Sequence, residues 1–209
     1  MPHDDFAIEP IAGLPERPPA GELILWQGAP APFALARDAL NLYWVAGYFA
    51  LLAVWRVGVS SIDMGFAEAL PLGVPFVALG ALSCLVLYGI AWVLAKTTVY
   101  TITTARVAMR VGAALTVTLN LPFKRIGSAE LAVRNDGTGT IVFETGGDVR
   151  LSYLVLWPHV RPWHLKHTRP ALRAVPDAAN VAKIFAEAAE TRIGQPEIGQ
   201  RPLNPVAAE

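Results

Sequence analysis

The sequence predicts an α+β membrane protein, in which a hairpin of two transmembrane helices precedes an antiparallel β-barrel that a C-terminal helix caps. Residues 70–95 contain no charged side chain. A helix over 74–95 would be about 33 Å long, enough to cross a hydrocarbon core of about 30 Å. From residue 97 the pattern changes to a period of two, which indicates strands. Because no flexible linker separates the two parts, we expect the β domain to lie close to the bilayer.

Composition excludes several classes of protein. The chain has 209 residues, of which 54% are hydrophobic, and its formal net charge is zero. No global field therefore favours nucleic acid as a partner. The single cysteine, Cys84, lies in an apolar run, so an intrachain disulfide and a Cys-rich metal site are both excluded.

The chain divides into five segments. Residues 1–21 are acidic and proline-rich, which predicts a flexible tail. Residues 22–39 contain a short apolar run, interpreted either as a strand of the later β domain, which we favour, or as an interfacial segment. The hairpin occupies 40–95, with helices over 40–59 and 71–95. A cytoplasmic domain at 96–192 and a second flexible tail at 193–209 follow.

Charge asymmetry predicts the orientation of the hairpin. The connection at 60–69 carries Asp63 and Glu68 but no lysine or arginine. Arg37, Lys96 and Arg106 flank the other ends of the helices. By the positive-inside rule both termini lie in the cytoplasm, and the protein is a multi-pass protein of the inner membrane.

Alternation and turn residues predict six strands, over 97–103, 107–111, 115–121, 129–134, 139–145 and 149–154. An irregular aromatic segment at 156–170 follows the last strand. Asp177 is a plausible N-cap for the final helix, whose apolar stripe contains Val181, Ile184, Phe185 and Ala188.

The order of these elements resembles that of a pleckstrin-homology (PH) domain. Tyr100, Ile102, Thr103 and Arg106 match the motif that begins the domain in bacterial membrane-anchored PH proteins. The stretches GELILWQGAP, NLYWVAGYFALLAVWR, LPFKRIGSAEL and LWPHVRPWHL are similar to the photosynthetic complex assembly protein (PuhB) family of purple phototrophic bacteria. This resemblance implies a role in building the reaction-centre and core light-harvesting complex, with the subunits of that complex as partners.

Three groups of residues are candidate contact sites. The aromatic loop offers Trp157, Pro158, His159, Arg161 and Trp163, a composition typical of protein-binding hot spots, although core packing of both tryptophans is the alternative. Small residues form one stripe on each helix, Ala46, Ala50 and Ala53 on the first and Gly73 and Gly80 on the second. One stripe would serve the hairpin and the other a client helix or a homodimer. Lys124 and Arg125 are candidates for binding anionic lipid, or a solvated face.

No catalytic motif or metal-ligand spacing is present, so we expect a non-enzyme without a cofactor. The four histidines, His3, His159, His164 and His167, lie outside the apolar runs, which argues against ligation of pigment within the bilayer. Two other functions stay open. One is a lipid- or stress-sensing membrane PH protein, and the other is a bacteriochlorophyll delivery protein.

Overall fold

The computed structural model describes residues 11–113, 116–146 and 151–193. Residues 1–10 of the predicted N-terminal tail, and all of the predicted C-terminal tail except residue 193, therefore lie outside the described residues. Residues 11–14 correct the first of these predictions, because Leu14 is buried and the side chain of Gln27 donates a hydrogen bond to the carbonyl of Ala12. The hydrogen bond from Gln27 ties this part of the tail to the β domain.

Two long helices form the apolar part of the chain. They are α2, Leu42–Met64, and α4, Val74–Thr97, and both extend beyond their predicted C-terminal ends. A short α1, Pro32–Ala39, precedes them, and α3, Phe66–Ala69, with a 3-10 turn, Leu70–Gly73, connects them. Asn41 adopts a left-handed backbone conformation, φ 55°, and separates α1 from α2. Both spans are long and apolar enough to cross a membrane, and only 11% of each apolar window is buried, unlike the core helix of a soluble protein.

Small residues bring α2 and α4 together. A Cβ atom added to Gly80 would lie 2.7 Å from the Cβ of Phe49, and one added to Gly73 would lie 2.9 Å from Val57 Cγ2. Both glycines therefore sit where the facing helix leaves no room for a side chain. Close packing of this kind is how helices associate in lipid.

In the described part of the chain, seven strands form two antiparallel sheets. The first contains β1, Ile24–Gly28; β2, Val99–Thr103; β3, Arg106–Val111; and β4, Val117–Pro122, in that order. The second contains β5, Ile126–Val133; β6, Gly139–Thr145; and β7, Ala171–Val175. Within the described ranges no ladder joins the sheets, so the predicted closed barrel is wrong. A 3-10 turn, Phe123–Arg125, replaces pairing between β4 and β5.

Helix α6, Ala178–Ile193, covers the core between the sheets. The Phe185 ring lies 5.5 Å from that of Phe123 and 5.1 Å from that of Phe143, measured between ring centroids. Val181 and Ala188, which belong to the predicted apolar stripe, are buried beside it. Asp177 differs from a standard N-cap because its φ is 48°, outside the extended region that caps prefer.

Two segments between β6 and α6 differ from the sequence prediction. Residues 149 and 150 of the strand expected at 149–154 lie outside the described residues. The remaining residues do not form a strand, and they lead into a one-turn helix α5, Tyr153–Leu156. The strand β7 begins directly after the stretch that the sequence predicts to be irregular. Strand β1 pairs antiparallel with β2, so residues 24–28 form a strand of the domain.

Strand order defines two ends of the β domain. The helix-proximal end contains Thr98, where α4 passes into β2. The helix-distal end contains the β2–β3 turn at Thr104 and Ala105, and the Phe123 amide donates a hydrogen bond to the Ala105 carbonyl. The five residues of β2 separate these ends by about 17 Å along the strand.

We predict that Gly80→Ala destabilises the hairpin by about 1–3 kcal/mol, because the added methyl group overlaps Phe49. Gly89→Ala, in the same helix, is the matched control, since its added Cβ meets no atom within 4 Å. Unfolding in detergent by titration with a denaturing surfactant measures both. Equal midpoints for the two variants would contradict the close helix contact.

Candidate functional site

Helix α1 forms the junction between the long helices and the β domain. Ala34, Leu35 and Ala36 are buried in an apolar cluster that also contains Ala91 of α4 and Ala174 of β7. Pro32 at the first turn is compatible with a helix start, because the amide it lacks would have no partner there. One short helix thus contacts both the hairpin and the second sheet.

A bulge in β7 provides the contact with α1. The register between β6 and β7 shifts between Gly139 and Ile141, which leaves two unmatched residues, Arg173 and Ala174, on β7. Ala174 has a φ of 53°, and its carbonyl accepts a hydrogen bond of 2.8 Å from the amide of Ala31. A non-glycine residue in this region costs about 1–3 kcal/mol, so the surrounding contacts must hold it there.

Arg173 is the buried cation of the junction. Its Nη2 donates to the Asp38 carbonyl at 2.6 Å, next to the C-terminus of α1, and its Nη1 lies 3.5 Å from the Pro158 carbonyl. Its Nε is buried and has no hydrogen-bond partner among the described residues. Burial lowers the pKa of Arg173, and the nearby Asp38 carboxylate partly offsets this. The guanidinium joins α1, β7 and the segment before β7.

An ion cluster surrounds the same helix end. Arg37 Nε lies 2.8 Å from Asp38 Oδ1, and Arg37 Nη1 lies 2.6 Å from Asp136 Oδ2. Arg134 Nη2 is 2.8 Å from Asp38 Oδ1. Hydrogen bonds from Thr138, and then from Arg37, lower the pKa of the Asp136 carboxyl. The turn between β5 and β6 is thereby tied to α1, at the helix-proximal end.

His159 is buried in a polar contact at the point where α4 ends. Its Nδ1 lies 2.6 Å from the Tyr100 hydroxyl, and its Nε2 lies 3.1 Å from the Thr98 hydroxyl. The Arg173 amide donates to the Tyr100 oxygen, so that hydroxyl can donate its own proton to Nδ1. Burial, and then the charge of Arg173, lower the pKa of His159 to about 3. A neutral ring therefore connects β2 to the cis Trp157–Pro158 segment.

The residues of the aromatic loop that were expected to bind a partner differ in their exposure. Pro158 and His159 are buried and form internal contacts, which corrects their assignment as contact residues. Arg161 Nη1 lies 2.7 Å from Glu130 Oε2. Trp157 is 44% exposed and Trp163 is 91% exposed, so neither tryptophan is a core residue. Within the described ranges, no three His, Cys, Asp or Glu side chains are grouped to hold a metal ion.

The small-residue stripes line two grooves along the hairpin. Exposed Ala46 and Ala50 lie with Gly80 in a groove of about 240 Å³. Ala53 and Gly73 are buried between the helices and border a larger apolar groove of about 620 Å³. Both stripes therefore contribute to the hairpin contact, and the expectation that one stays wholly free is corrected.

Lys124 and Arg125 are exposed in the 3-10 turn at the helix-distal end. The Arg125 carbonyl accepts a hydrogen bond from the Gly146 amide, at the end of β6. This end lies away from the point where α4 enters the domain. Binding of anionic lipid by these two side chains stays a prediction from the sequence.

Sequence reasoning used Arg37 only for the orientation of the hairpin, and it missed Asp38 and Arg173, the other residues on which the junction depends. ALRAV is a short, mostly apolar run bounded by Pro170 and Pro176, which is a signal of a buried strand that could have identified β7. Nothing in the local pattern pairs Arg173 with Asp38, which lies 135 residues earlier in the chain.

We predict that acid destabilises the fold through His159. The folded-state pKa of His159 lies below the unfolded value of about 6.5. The stabilisation of the folded state that depends on the neutral ring is therefore complete above pH 6.5, and it is lost as the pH falls toward 3. At about 1.4 kcal/mol per pKa unit, the free energy of unfolding should fall by about 3 kcal/mol from pH 7 to pH 4 through this group.

Denaturant unfolding in detergent at both pH values measures this loss, and His159→Gln should remove most of it. Asp136→Asn is the control, because it changes a carboxylate of the same junction and leaves the histidine in place. A pH slope in His159→Gln equal to that of the unaltered chain would contradict the assignment.

Comparison with known proteins is consistent with this architecture. A family model described as "Bacterial PH domain" matches residues 41–189. A protein of Rhodobacter capsulatus, named "Uncharacterized 23.7 kDa protein in puhA 5'region", is 42% identical over 207 residues, which cover 97% of this chain and 95% of the relative. No solved structure matches the chain. Since the family model covers more than half of the residues, the chain belongs to the bacterial PH-domain family.

Proposed function

We propose that this chain is a non-catalytic, membrane-anchored assembly factor for the photosynthetic reaction-centre and core light-harvesting complex. The observation that carries the proposal is the relative from Rhodobacter capsulatus, whose name places it in the puhA region, a photosynthesis-gene neighbourhood. Identity of 42% over nearly the full length of both chains supports a shared role. The resemblance to the PuhB family agrees with it.

The exposed faces of the hairpin support a transmembrane position in the inner membrane. Large apolar side chains along α2 and α4 are exposed, among them Trp44, Leu51, Leu82 and Leu85. Contiguous exposed apolar surface of this size is unusual in a soluble monomer, whereas lipid covers it without cost. With Arg37 and Lys96 at the cytoplasmic ends, both termini and the PH-like domain lie in the cytoplasm.

In the proposed mechanism, the protein acts by holding the β domain in a fixed position relative to the hairpin. The junction of α1, Arg173 and His159 holds the domain against the end of α4, so it cannot rotate freely on a linker. A client subunit that enters the membrane beside the hairpin would then meet a fixed surface. Binding would come from packing rather than from chemistry, and no cofactor takes part.

The groove at Ala46 and Ala50 is the surface we assign to a client helix. It is shallow, about 240 Å³, and small residues allow another helix to approach closely. A contact that depends on small residues and little buried area is suited to release once a complex is complete. The same surface could hold a second copy of this chain, and a homodimer is one outcome of the test.

We predict that Ala46→Leu with Ala50→Leu lowers co-purification of the reaction-centre and core light-harvesting subunits at least fivefold, because leucine fills the groove. Affinity purification of the full chain from photosynthetic membranes in mild detergent, with quantitative mass spectrometry of those subunits, measures the change.

Gly47→Leu is the matched control, since Gly47 is exposed on the same helix and its added Cβ meets nothing within 4 Å. It should retain normal recovery. If the unaltered chain recovers only anionic lipid, only bacteriochlorophyll or only a second copy of itself, the assembly function is contradicted. Equal recovery by the double variant would exclude the groove as the contact.

A further inference from the structure

The turn between Tyr153 and Pro158 carries an exposed apolar surface. Leu156 points into the core and is buried, whereas Leu154 is 84% exposed, Val155 is 52% exposed and Trp157 is exposed as well. Hydrogen bonds from the Leu156 amide to the Ser152 carbonyl and from the Trp157 amide to the Tyr153 carbonyl hold the turn. Its outward-facing side chains are therefore apolar and constrained in position.

The position of this turn follows from the contact between His159, the residue after the turn, and Thr98, the residue after α4. Trp92 and Lys96 lie in the last turns of α4, with Lys96 Nζ 5.9 Å from the centre of the Trp92 ring. Trp and Lys at the end of a span mark the headgroup region. Thr98 is about 9 Å further along the axis than Trp92. His159 Nε2 lies 3.1 Å from the Thr98 hydroxyl, so the neighbouring Pro158 is held at about the same level.

Charge in the surrounding segment is compatible with an anionic surface. Residues 151–170 contain three basic side chains, Arg161, Lys166 and Arg169, and no aspartate or glutamate. Glu130 of β5 and Glu144 of β6 pair with the two arginines and balance their charge, which leaves the lysines as the source of positive charge. Lys166 and Lys96 are exposed. Apolar tips beside basic groups are typical of segments that lie in the interface of anionic membranes.

We infer that the interfacial turn, residues 153–158, is a second membrane anchor that inserts Leu154, Val155 and Trp157 into the headgroup layer of anionic lipid next to the hairpin. The inference rests on the transmembrane hairpin of the proposed function. Lipid is favoured over a protein partner because α4 and the His159 contact hold the turn at the level of the bilayer surface. The lipid contact therefore lies at the helix-proximal end, opposite Lys124 and Arg125.

Spin-label accessibility in nanodiscs tests the anchor. The full chain carries Cys84→Ala and a single added cysteine, either Leu154→Cys in the turn or Leu23→Cys as the matched control. Leu23 is exposed at the helix-distal end, where its carbonyl accepts a hydrogen bond from the Thr104 amide. In nanodiscs of mixed zwitterionic and anionic lipid, collisions with a water-soluble nickel chelate should be at least threefold rarer at position 154 than at position 23.

A third label, Leu79→Cys in α4, separates failure of the anchor from failure of the hairpin. If position 79 is accessible to oxygen but not to nickel while position 154 is fully accessible to nickel, the hairpin is embedded and the anchor is refuted. If position 79 is also accessible to nickel, the membrane-spanning part of the proposed function fails. Protection of position 154 only after the photosynthetic complex is added would assign the turn to a protein and overturn the lipid assignment.

Discussion

Arg173 brings a positive charge into the contact between β7 and α1, where it donates a hydrogen bond of 2.6 Å to the Asp38 carbonyl. Taking a guanidinium out of water costs several kcal/mol, and this arrangement is stable only because carbonyl acceptors and the Asp38 carboxylate surround it. If α1 moved away, the charge would lose those partners while still buried. Small displacements of the domain from the hairpin are therefore costly, and the positions of the remaining surfaces follow from this constraint.

The contact between β7 and α1 requires the bulge in β7, and the bulge carries local backbone strain. Ala174 takes a left-handed conformation so that its carbonyl meets Ala31, next to α1, and the strain is balanced by the packing of Ala174 among Leu35 and Ala91. His159 adds a second attachment, from the cis-proline segment to Thr98. With two attachments the domain has one orientation. The segment at His159 then lies at the helix-proximal end, and Lys124 and Arg125 lie at the helix-distal end.

Hydropathy predicted the two long helices because an uncharged run as long as 70–95 is what a membrane-spanning helix requires and is rare in soluble domains. Alternation predicted most of the strands, since it reports which side chains face the core. It failed at α5 and β7, where consecutive apolar residues show no period of two. The ends of the domain depend on strand order, so the position of Lys124 could not be predicted, and the pairing of Arg173 with Asp38 depends on the tertiary fold alone.

The distance between the hairpin and the β domain tests the rigid junction most directly. Spin labels on α4 at Val86→Cys and on α6 at Glu187→Cys, in a Cys84→Ala background in nanodiscs, report this distance by double electron–electron resonance. A rigid junction predicts one narrow distribution of label-to-label distances in the otherwise unaltered chain and a clearly broader distribution in Arg173→Met. The methionine retains the bulk of the side chain but loses the hydrogen bond to Asp38. A broad distribution before the substitution, or an unchanged narrow one after it, would contradict the account.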